Sequence, residues 1–546
     1  MPRDPARPQV SRSAVYARGG AVATSQPLAT LAAQDVLRRG GSATDAAICA
    51  NAVLGVVEPT GCGVGGDLMA IVQPADGSEP VGFNGSGRSP RGLEREEVAR
   101  RGLARVPMRG ALSVSVPGCV DGWFALHERF GRLPMTELLA PAIAYAKDGF
   151  PLSPVIAREW AAGVRALHEY PNFVAQFTVD GRAPKVGEVF SRPALARVLE
   201  RVASDGRSGF YAGEVARTIE REVRGAGGFL SAADLAEHRG AWVTPLSVRY
   251  RDVELLELPA NTQGPTALEM VGILARFDVR AMGYGSAEFL HHLVEAKKLA
   301  FADRACTLGD PDLDELADGA RLLVDDRLDE LAARIDRERA CDVATGSPTV
   351  RHGDTVCLAV ADARGEMVSL IQSNFRGFGS GVAPKGLGFV LQNRGELFDL
   401  DPSRPNGFAP GKRPFHTIIP GFARRRGEPW LAFGVMGGDT QPQAHAQVLA
   451  NLVDFDLDVQ EAGDAPRCVH TGGPEPTGGA VGAGVGDTAL EPGFEPAEVR
   501  ELERRGHRIS FGGGHFGGYQ AVLRLSANGV HSAGSDARKD GCAAGL

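Results

Sequence analysis

The chain has 546 residues, 43% hydrophobic and 23% charged, which is enough apolar sequence for a large buried core and rules out a small disulfide- or metal-stapled scaffold. Its formal net charge of −8 is spread without long like-charge blocks, which argues for solubility and against nucleic acid as a partner. Cys49, Cys62, Cys119, Cys306, Cys341, Cys357, Cys468 and Cys542 form no C-x-x-C pair, so neither a disulfide framework nor a zinc ribbon is indicated. No apolar run follows the basic N-terminal residues, and no stretch of 18 apolar residues occurs, so a cytoplasmic protein with reduced thiols and no membrane anchor is expected.

In chain order, "ATLAAQDVLRR" (29–39) reads as a helix stopped by Gly40-Gly41. Ser42 and Asp45 have capping-box spacing at the head of a second, Ala-rich helix, which Glu58-Pro59 ends. The loop "GCGVGG" (61–66) matches the dinucleotide fingerprint G-x-G-x-x-G, but that motif needs a strand before it and a helix after it. Here a helix precedes and the strand-like "DLMAIVQ" follows, so a tight helix-to-strand loop is the better reading and no nucleotide is implied. From Leu112 to Gly346 apolar residues recur mainly at helical spacing, as in "MTELLAPAIAYAKDG", "RPALARVLERVAS" and "EFLHHLVEAKKLAFADRA". After Thr355 short strands alternate with Gly/Pro turns, and "TGGPEPTGGAVGAGVGD" (471–487) reads as a loop. No repeat of 20 to 50 residues is present.

The abrupt start of a strand at Asp354-Thr355 needs an explanation. In "TVCLAVAD" Val356, Leu358 and Val360 face one way, while Thr355, Cys357, Ala359 and Ala361 face the other. If Ala361 pairs with Met367 across the turn "DARG", the same register sets Thr355 opposite Ser373 at the open end of a hairpin. Such a pair is usually just a cross-strand Thr/Ser contact, and a nucleophile with a supporting hydroxyl is the reading that needs further signals. Downstream, Gly437-Gly438 follow the apolar strand "WLAFGVM"; lacking Cβ atoms, they suit either a turn or an oxyanion hole. Twelve histidines are present, yet no G-x-S-x-G element accompanies them.

Nearly the whole chain resembles the γ-glutamyltransferase family of N-terminal-nucleophile hydrolases, through "GGSATDAAICANAVLGVVEPTGCGVGGDLMAIV", "SVPGCVDGW", "HHLVEAKKLAFADRACTLGDPD", "GDTVCLAVAD", "VMGG", "DAPR" and "GSDARKDGC". The resemblance implies an α+β fold, a four-layer αββα sandwich, made as one precursor that cuts itself between Asp354 and Thr355. Residues 1–354 would form a helix-rich large subunit and 355–546 a small subunit, the two sharing one core. Thr355 would be the nucleophile and, through its freed α-amine with an ordinary pKa of about 7.7–8.0, its own general base. Ser373 would support it, and Gly437 and Gly438 would form the oxyanion hole.

The chain departs from the family where the γ-glutamyl head is held. Ser86 stands where the family's "R-x-x-A-P" arginine falls, with Arg88 two places on. "T-x-N" becomes Ser373-Asn374-Phe375, "N-N-Q-x-x-D" becomes Gln392-Asn393-Arg394-Gly395-Glu396-Leu397, and the family's paired serines become His416 and Thr417. Acceptors for an ammonium group are lost and an arginine is gained, which favours an anionic acyl group. Arg394 and Arg88 are therefore candidate substrate-binding residues, with Ser86, Phe375, His416 and Thr417 beside them. A salt bridge of Arg394 with Glu396 is the structural alternative. "LQNRG", "KRPFHTIIP" and "MGGDTQPQ" are similar to a divergent branch containing oxamate amidohydrolase, cephalosporin-acylase-like and glutathione-hydrolase-like proteins. The expectation is a self-processing threonine amidohydrolase acting on a small-molecule amide, with no cofactor, metal, nucleic acid or membrane. A γ-glutamyl hydrolase or transpeptidase and a non-catalytic family member are the alternatives.

Overall fold

The computed structural model describes residues 8, 10–346, 354–478, 481–512, 515–525 and 529–546. Two seven-stranded sheets carry the fold. The first runs in the spatial order Cys542–Gly545, Gly20–Thr24, Asp354–Asp362, Met367–Phe375, Asp67–Gln73, Val81–Asn84 and Ala241–Val243, with every neighbouring pair antiparallel. The second runs Val15–Ala17, Val530–Ser535, Gly518–Leu525, Glu428–Met436, Gly421–Arg425, Val253–Glu257 and Leu246–Tyr250.

The alternation in "TVCLAVAD" assigns the layers. Val356, Leu358 and Val360 belong to the core between the first sheet and its helices, chiefly Ala43–Val57, Met135–Asp148 and Pro193–Asp205. Cys357, Ala359 and Ala361 face the second sheet, where they meet Ala432, Met436 and Val522. The side chains that Asp354–Asp362 turns to this seam are small, and the sheets lie close there: a Cβ on Gly434 would sit 3.2 Å from Cβ of Cys357. The other face of the second sheet is covered by Gly264–Leu274, Ala287–Thr307 and Thr440–Val453. The result is the four-layer αββα sandwich expected, with both middle strands buried on both faces.

The helix at Ala43–Val57 is buried along its entire length, which is why it is apolar all round, and its Ser42/Asp45 capping box is formed. The loop at Gly61–Gly66 leads directly into the strand Asp67–Gln73, as expected from the sequence. The region read as mainly helical also contains strands, among them Ala241–Val243, Leu246–Tyr250 and Val253–Glu257, which supply edges to both sheets. The helix-period signal of their neighbours hid them. The glycine-dense segment read as a loop contains the strand Val481–Gly484, paired with Val343–Gly346. Among the described residues no helix is long and apolar enough to cross a membrane.

Candidate active site

The predicted hairpin register holds from Ala361↔Met367 to Val356↔Gln372, then slips, so that Asp354 pairs with Phe375. Thr355 thus faces a bulge in the partner strand, where the two residues Ser373 and Asn374 stand opposite it in place of Ser373 alone. The two hydroxyls still meet: Thr355 Oγ1 donates to Ser373 Oγ at 3.3 Å. Ser373 Oγ in turn donates to the carbonyl oxygen of Asp354 at 2.6 Å and accepts the Phe375 N–H at 2.7 Å. Thr355 is 2% exposed. A Cβ on Gly61 would lie 3.2 Å from the Thr355 nitrogen, and one on Gly66 only 2.4 Å from the Ser373 carbonyl oxygen. The glycines that mimic a nucleotide fingerprint are there because the Asp354–Thr355 junction and its partner strand press against them.

Asp354 sits in a buried ionic group that sequence reading missed. Burial pushes its carboxyl up to about 7, with Glu159 adding to the effect and Lys539 and Arg109 opposing it. Lys539 Nζ donates to Glu159 Oε1 at 2.7 Å, and Ser25 Oγ donates to Glu58 Oε2 at 2.6 Å. Glu58 is pushed up to about 8, foremost by burial. Burial works against the Lys539 ammonium, but Glu159, Asp354 and Glu58 together hold its pKa above the usual lysine value.

Gly437 and Gly438 end the strand Glu428–Met436 with φ of +127° and +60°, conformations that favour glycine. Their carbonyls accept the Thr440 and Gln441 N–H groups at the start of the following helix. Gln263 fixes the pair from behind, donating to the carbonyls of Gly438 at 2.9 Å and Thr417 at 2.6 Å. Arg304 orients Gln263 through its Oε1 at 2.8 Å and binds Asp439 at 2.5 Å. Neither Gln263 nor Arg304 was singled out from the sequence.

The residues at the departures from the family pattern converge, with one exception. Arg394 is fully buried, its guanidinium 4.4 Å from the Phe375 ring centroid and its Nη1 donating to Thr417 Oγ1 at 2.7 Å. Among the described residues its Nε and Nη2 have no hydrogen-bond partner. Burial lowers it to about 9, with Asp67 opposing. Glu396 belongs instead to Arg376, 2.8 Å from Nε and 2.5 Å from Nη2. His416 is neutral, its pKa held well below the usual histidine value by burial and then by Arg394. Its Nε2 lies 3.1 Å from Asp67 Oδ2, and its Nδ1 accepts the Ile418 N–H at 3.3 Å. Ser86 lies on the other side of Asn261, whose Nδ2 donates to Ser86 Oγ at 3.0 Å and whose carbonyl accepts the His416 N–H. Arg88 stands apart, its guanidinium bound to Asp310 at 2.9 Å and Asp312 at 2.6 Å.

Asp67 is the residue that ties these parts together. It pairs with Ser373 across the strands and accepts from Gln392, Gly87 and Gly118. Burial pushes it up to about 7 against the pull of Arg394. A lone carboxylate opening the otherwise apolar strand "DLMAIVQ" was the available signal. His291, Glu295 and His507 form a second buried cluster. Its members hold one another and Lys298: His291 Nδ1 is 2.8 Å from His507 Nε2, and Lys298 Nζ is 2.7 Å from Glu295.

The gamma-glutamyltranspeptidase family model matches residues 29–546. The chain belongs to that family. Among its γ-glutamyltranspeptidase relatives is an oxamate amidohydrolase proenzyme of Klebsiella pneumoniae, 36% identical over 546 residues that cover 98% of this chain and 99% of that protein. A glutathione hydrolase-like YwrD proenzyme of Bacillus subtilis is 34% identical over 525 residues, covering 95% of this chain and 97% of that protein. Among solved structures, a cephalosporin acylase from Bacillus halodurans superposes with a TM-score of 0.90 at 39% identity, covering 100% of this chain and 99% of that one. The sandwich is therefore the N-terminal-nucleophile hydrolase fold of the γ-glutamyltranspeptidase enzymes.

Proposed function

We propose that this γ-glutamyltranspeptidase-family enzyme is a self-processing threonine amidohydrolase whose acyl substrate ends in a carboxylate. The observation that carries the substrate class is Arg394. A fully buried guanidinium that keeps Nε and Nη2 unbonded presents the edge that takes a carboxylate in two parallel hydrogen bonds. Phe375 supports its face and Thr417 occupies its remaining nitrogen, so the fork is held ready for a ligand.

The maturation chemistry follows from the relay Thr355–Ser373–Asp354. Thr355 Oγ attacks the Asp354 carbonyl carbon while Ser373 donates to the carbonyl oxygen. The C–N bond then breaks, the hydroxyl proton passes to the departing nitrogen, and an ester remains on Oγ. Water cleaves the ester, leaving a carboxylate on Asp354 and a free α-amine on Thr355. In turnover the α-amine takes the proton of its own hydroxyl as Oγ attacks the substrate carbonyl carbon, the N–H groups of Gly437 and Gly438 receive the oxyanion, and the amide C–N bond then breaks as the leaving amine departs with that proton, leaving the acyl group on Oγ. Water then releases the acid.

A γ-glutamyl substrate is the second reading, and one observation favours it. Asn374 Oδ1 and Gln392 Oε1 are buried acceptors without partners among the described residues, as an α-ammonium group would need. Turnover of glutaryl, oxamate and γ-glutamyl amides by the processed enzyme separates the two. Faster turnover of acyl groups lacking the α-amine supports the carboxylate reading, and preference for γ-glutamyl amides overturns it.

A further inference from the structure

Gln263 touches both halves of the active site with a single amide. It stands between the second-sheet strand Val253–Glu257 and the helix Gly264–Leu274, at that helix's N-cap. Its backbone is pinned: the N–H donates to the His416 carbonyl at 3.0 Å, and the carbonyl accepts the Thr266 and Ala267 N–H groups of the first helical turn. The side chain is fully buried, and its Nε2 donates to the Gly438 carbonyl at 2.9 Å and to the Thr417 carbonyl at 2.6 Å. Gly438 belongs to the oxyanion loop, while Thr417 carries the hydroxyl that accepts from Arg394.

Arg304 decides which way this amide points. A guanidinium only donates, so the atom it meets at 2.8 Å is the amide oxygen, and both amide hydrogens are left to face the two carbonyls. Arg304 is held in turn, 3.9 Å from the Phe301 ring centroid, and its Nη1 also binds Asp439, the residue after Gly438. The oxyanion loop is thus gripped at the Gly438 carbonyl by Gln263 and at the next side chain by Arg304. Gln441 adds a second tie between the same segments, its Oε1 accepting the Ile419 N–H at 3.0 Å. With its oxygen and both hydrogens engaged by protein, the Gln263 amide has no group to offer a substrate; what it fixes is the spacing of the two segments that do.

We propose that Gln263 is a positioning residue that gauges the acyl group. By fixing Gly438 against Thr417, and through Thr417 the Arg394 fork, it sets the distance between the reacting carbonyl and the distal carboxylate, and so the length of acyl chain that reacts. The inference rests on the carboxylate-bearing amide reading of the site and adds chain length as the property selected.

The test uses the 4-nitroanilides of succinic, glutaric and adipic acids, which differ by single methylenes, with the neutral pentanoyl anilide as control, all on processed enzyme. Wild type should prefer one length. Gln263→Met, similar in size but without donors, should lower kcat for that substrate about tenfold and shrink its kcat/KM advantage over the neighbouring lengths by about fivefold or more. Gln263→Glu keeps the Arg304 contact but turns an acceptor towards both carbonyls, so it should lose more. Where a Gln263 variant is not processed, Arg304→Lys gives the second reading: it keeps a cation beside Asp439, loses the planar group that orients the amide, and should blunt the same preference. A length preference absent from wild type, or unchanged in processed Gln263→Met or Arg304→Lys, overturns the proposal, and so does a loss equal at all three lengths. The control separates this from failure of the acyl-site reading: glutaryl and pentanoyl anilides turned over alike by wild type would mean that no carboxylate is read, which overturns both, whereas a glutaryl advantage with a length profile indifferent to Gln263 overturns the gauge alone.

Discussion

The Ser373 hydroxyl stands 2.6 Å from the Asp354 carbonyl oxygen, donating to it while it accepts the Thr355 hydroxyl. If Thr355 attacks that carbonyl, one side chain both polarises it and, by accepting the hydrogen bond, orients the hydroxyl that attacks. Ser373→Ala should slow conversion of the precursor by about 10²–10³, the usual cost of removing an oxyanion donor. Ser373→Thr should process nearly normally. Densitometry of the precursor band over time measures both, and unchanged processing in the alanine variant removes Ser373 from the relay.

The proposed attack of Thr355 on the Asp354 carbonyl also predicts where the cut falls. Mature protein should consist of residues 1–354 and 355–546, with threonine first in the smaller chain, and Thr355→Ala should stay whole and inactive. Denaturing electrophoresis with N-terminal sequencing decides this. An intact single chain with full amidase activity would falsify the mechanism.

The layer assignment was legible because strand period carries it: Val356, Leu358 and Val360 against Cys357, Ala359 and Ala361 resolve into two different cores. The hydroxyl pair was legible for the same reason, since a register counted from the turn reaches Ser373. The slip that sets Thr355 opposite both Ser373 and Asn374 was not, because a bulge adds no periodic signal. Asp67, Glu58, Glu159 and Lys539 escaped because each is a single ionisable residue in an unremarkable local context. Their meeting depends on contacts across up to several hundred positions, such as Lys539 with Glu159. Arg394 was found by its departure from a motif, but only the fold shows that Glu396 is taken by Arg376, leaving the Arg394 fork open.

The glycine pair gives a third expectation. Gly438 has a left-handed φ of +60°, so Gly438→Ala should cost about 1 kcal/mol of stability. If its N–H receives the oxyanion, kcat should fall by about 10² or more through the displaced loop, well beyond that strain. The processed fraction must be assayed, because maturation can share the same donors. Normal turnover would leave the pair as a turn and nothing more.

Asp354 supplies a pH prediction for the uncut Thr355→Ala precursor. Its carboxyl is raised from 3.8 to about 7 by burial, then by Glu159, with Lys539 and Arg109 opposing and Glu58 nearby in the same group. The folded precursor therefore binds a proton that the unfolded chain has released, and this contribution to stability is lost as pH rises from about 4 to 7. Adding Asp354→Asn should stabilise the precursor by about 1–3 kcal/mol at pH 8, discounted for partial exposure, and by less at pH 5. Urea unfolding at both values reads the difference. An equal gain at the two pH values would mean that packing, not charge, is responsible.

Arg394 gives the prediction on which the substrate class depends. A buried guanidinium with an open Nε/Nη2 edge and no carboxylate bonded to it is unfavourable unless a ligand completes it, since an unpaired buried charge costs several kcal/mol. Arg394→Met keeps an apolar body over Phe375 and removes the fork, so the empty protein should be no less stable than wild type and could gain stability. Activity should move the other way. A charged hydrogen bond is worth about 1.5–3 kcal/mol, so kcat/KM for a carboxylate-bearing amide should fall about ten- to a hundredfold more than for its neutral methyl ester analogue. Thermal unfolding and kinetics on the same preparation test both halves. Equal losses on the two substrates, together with a large drop in stability, would show that Arg394 supports the fold and that the acyl group is recognised elsewhere.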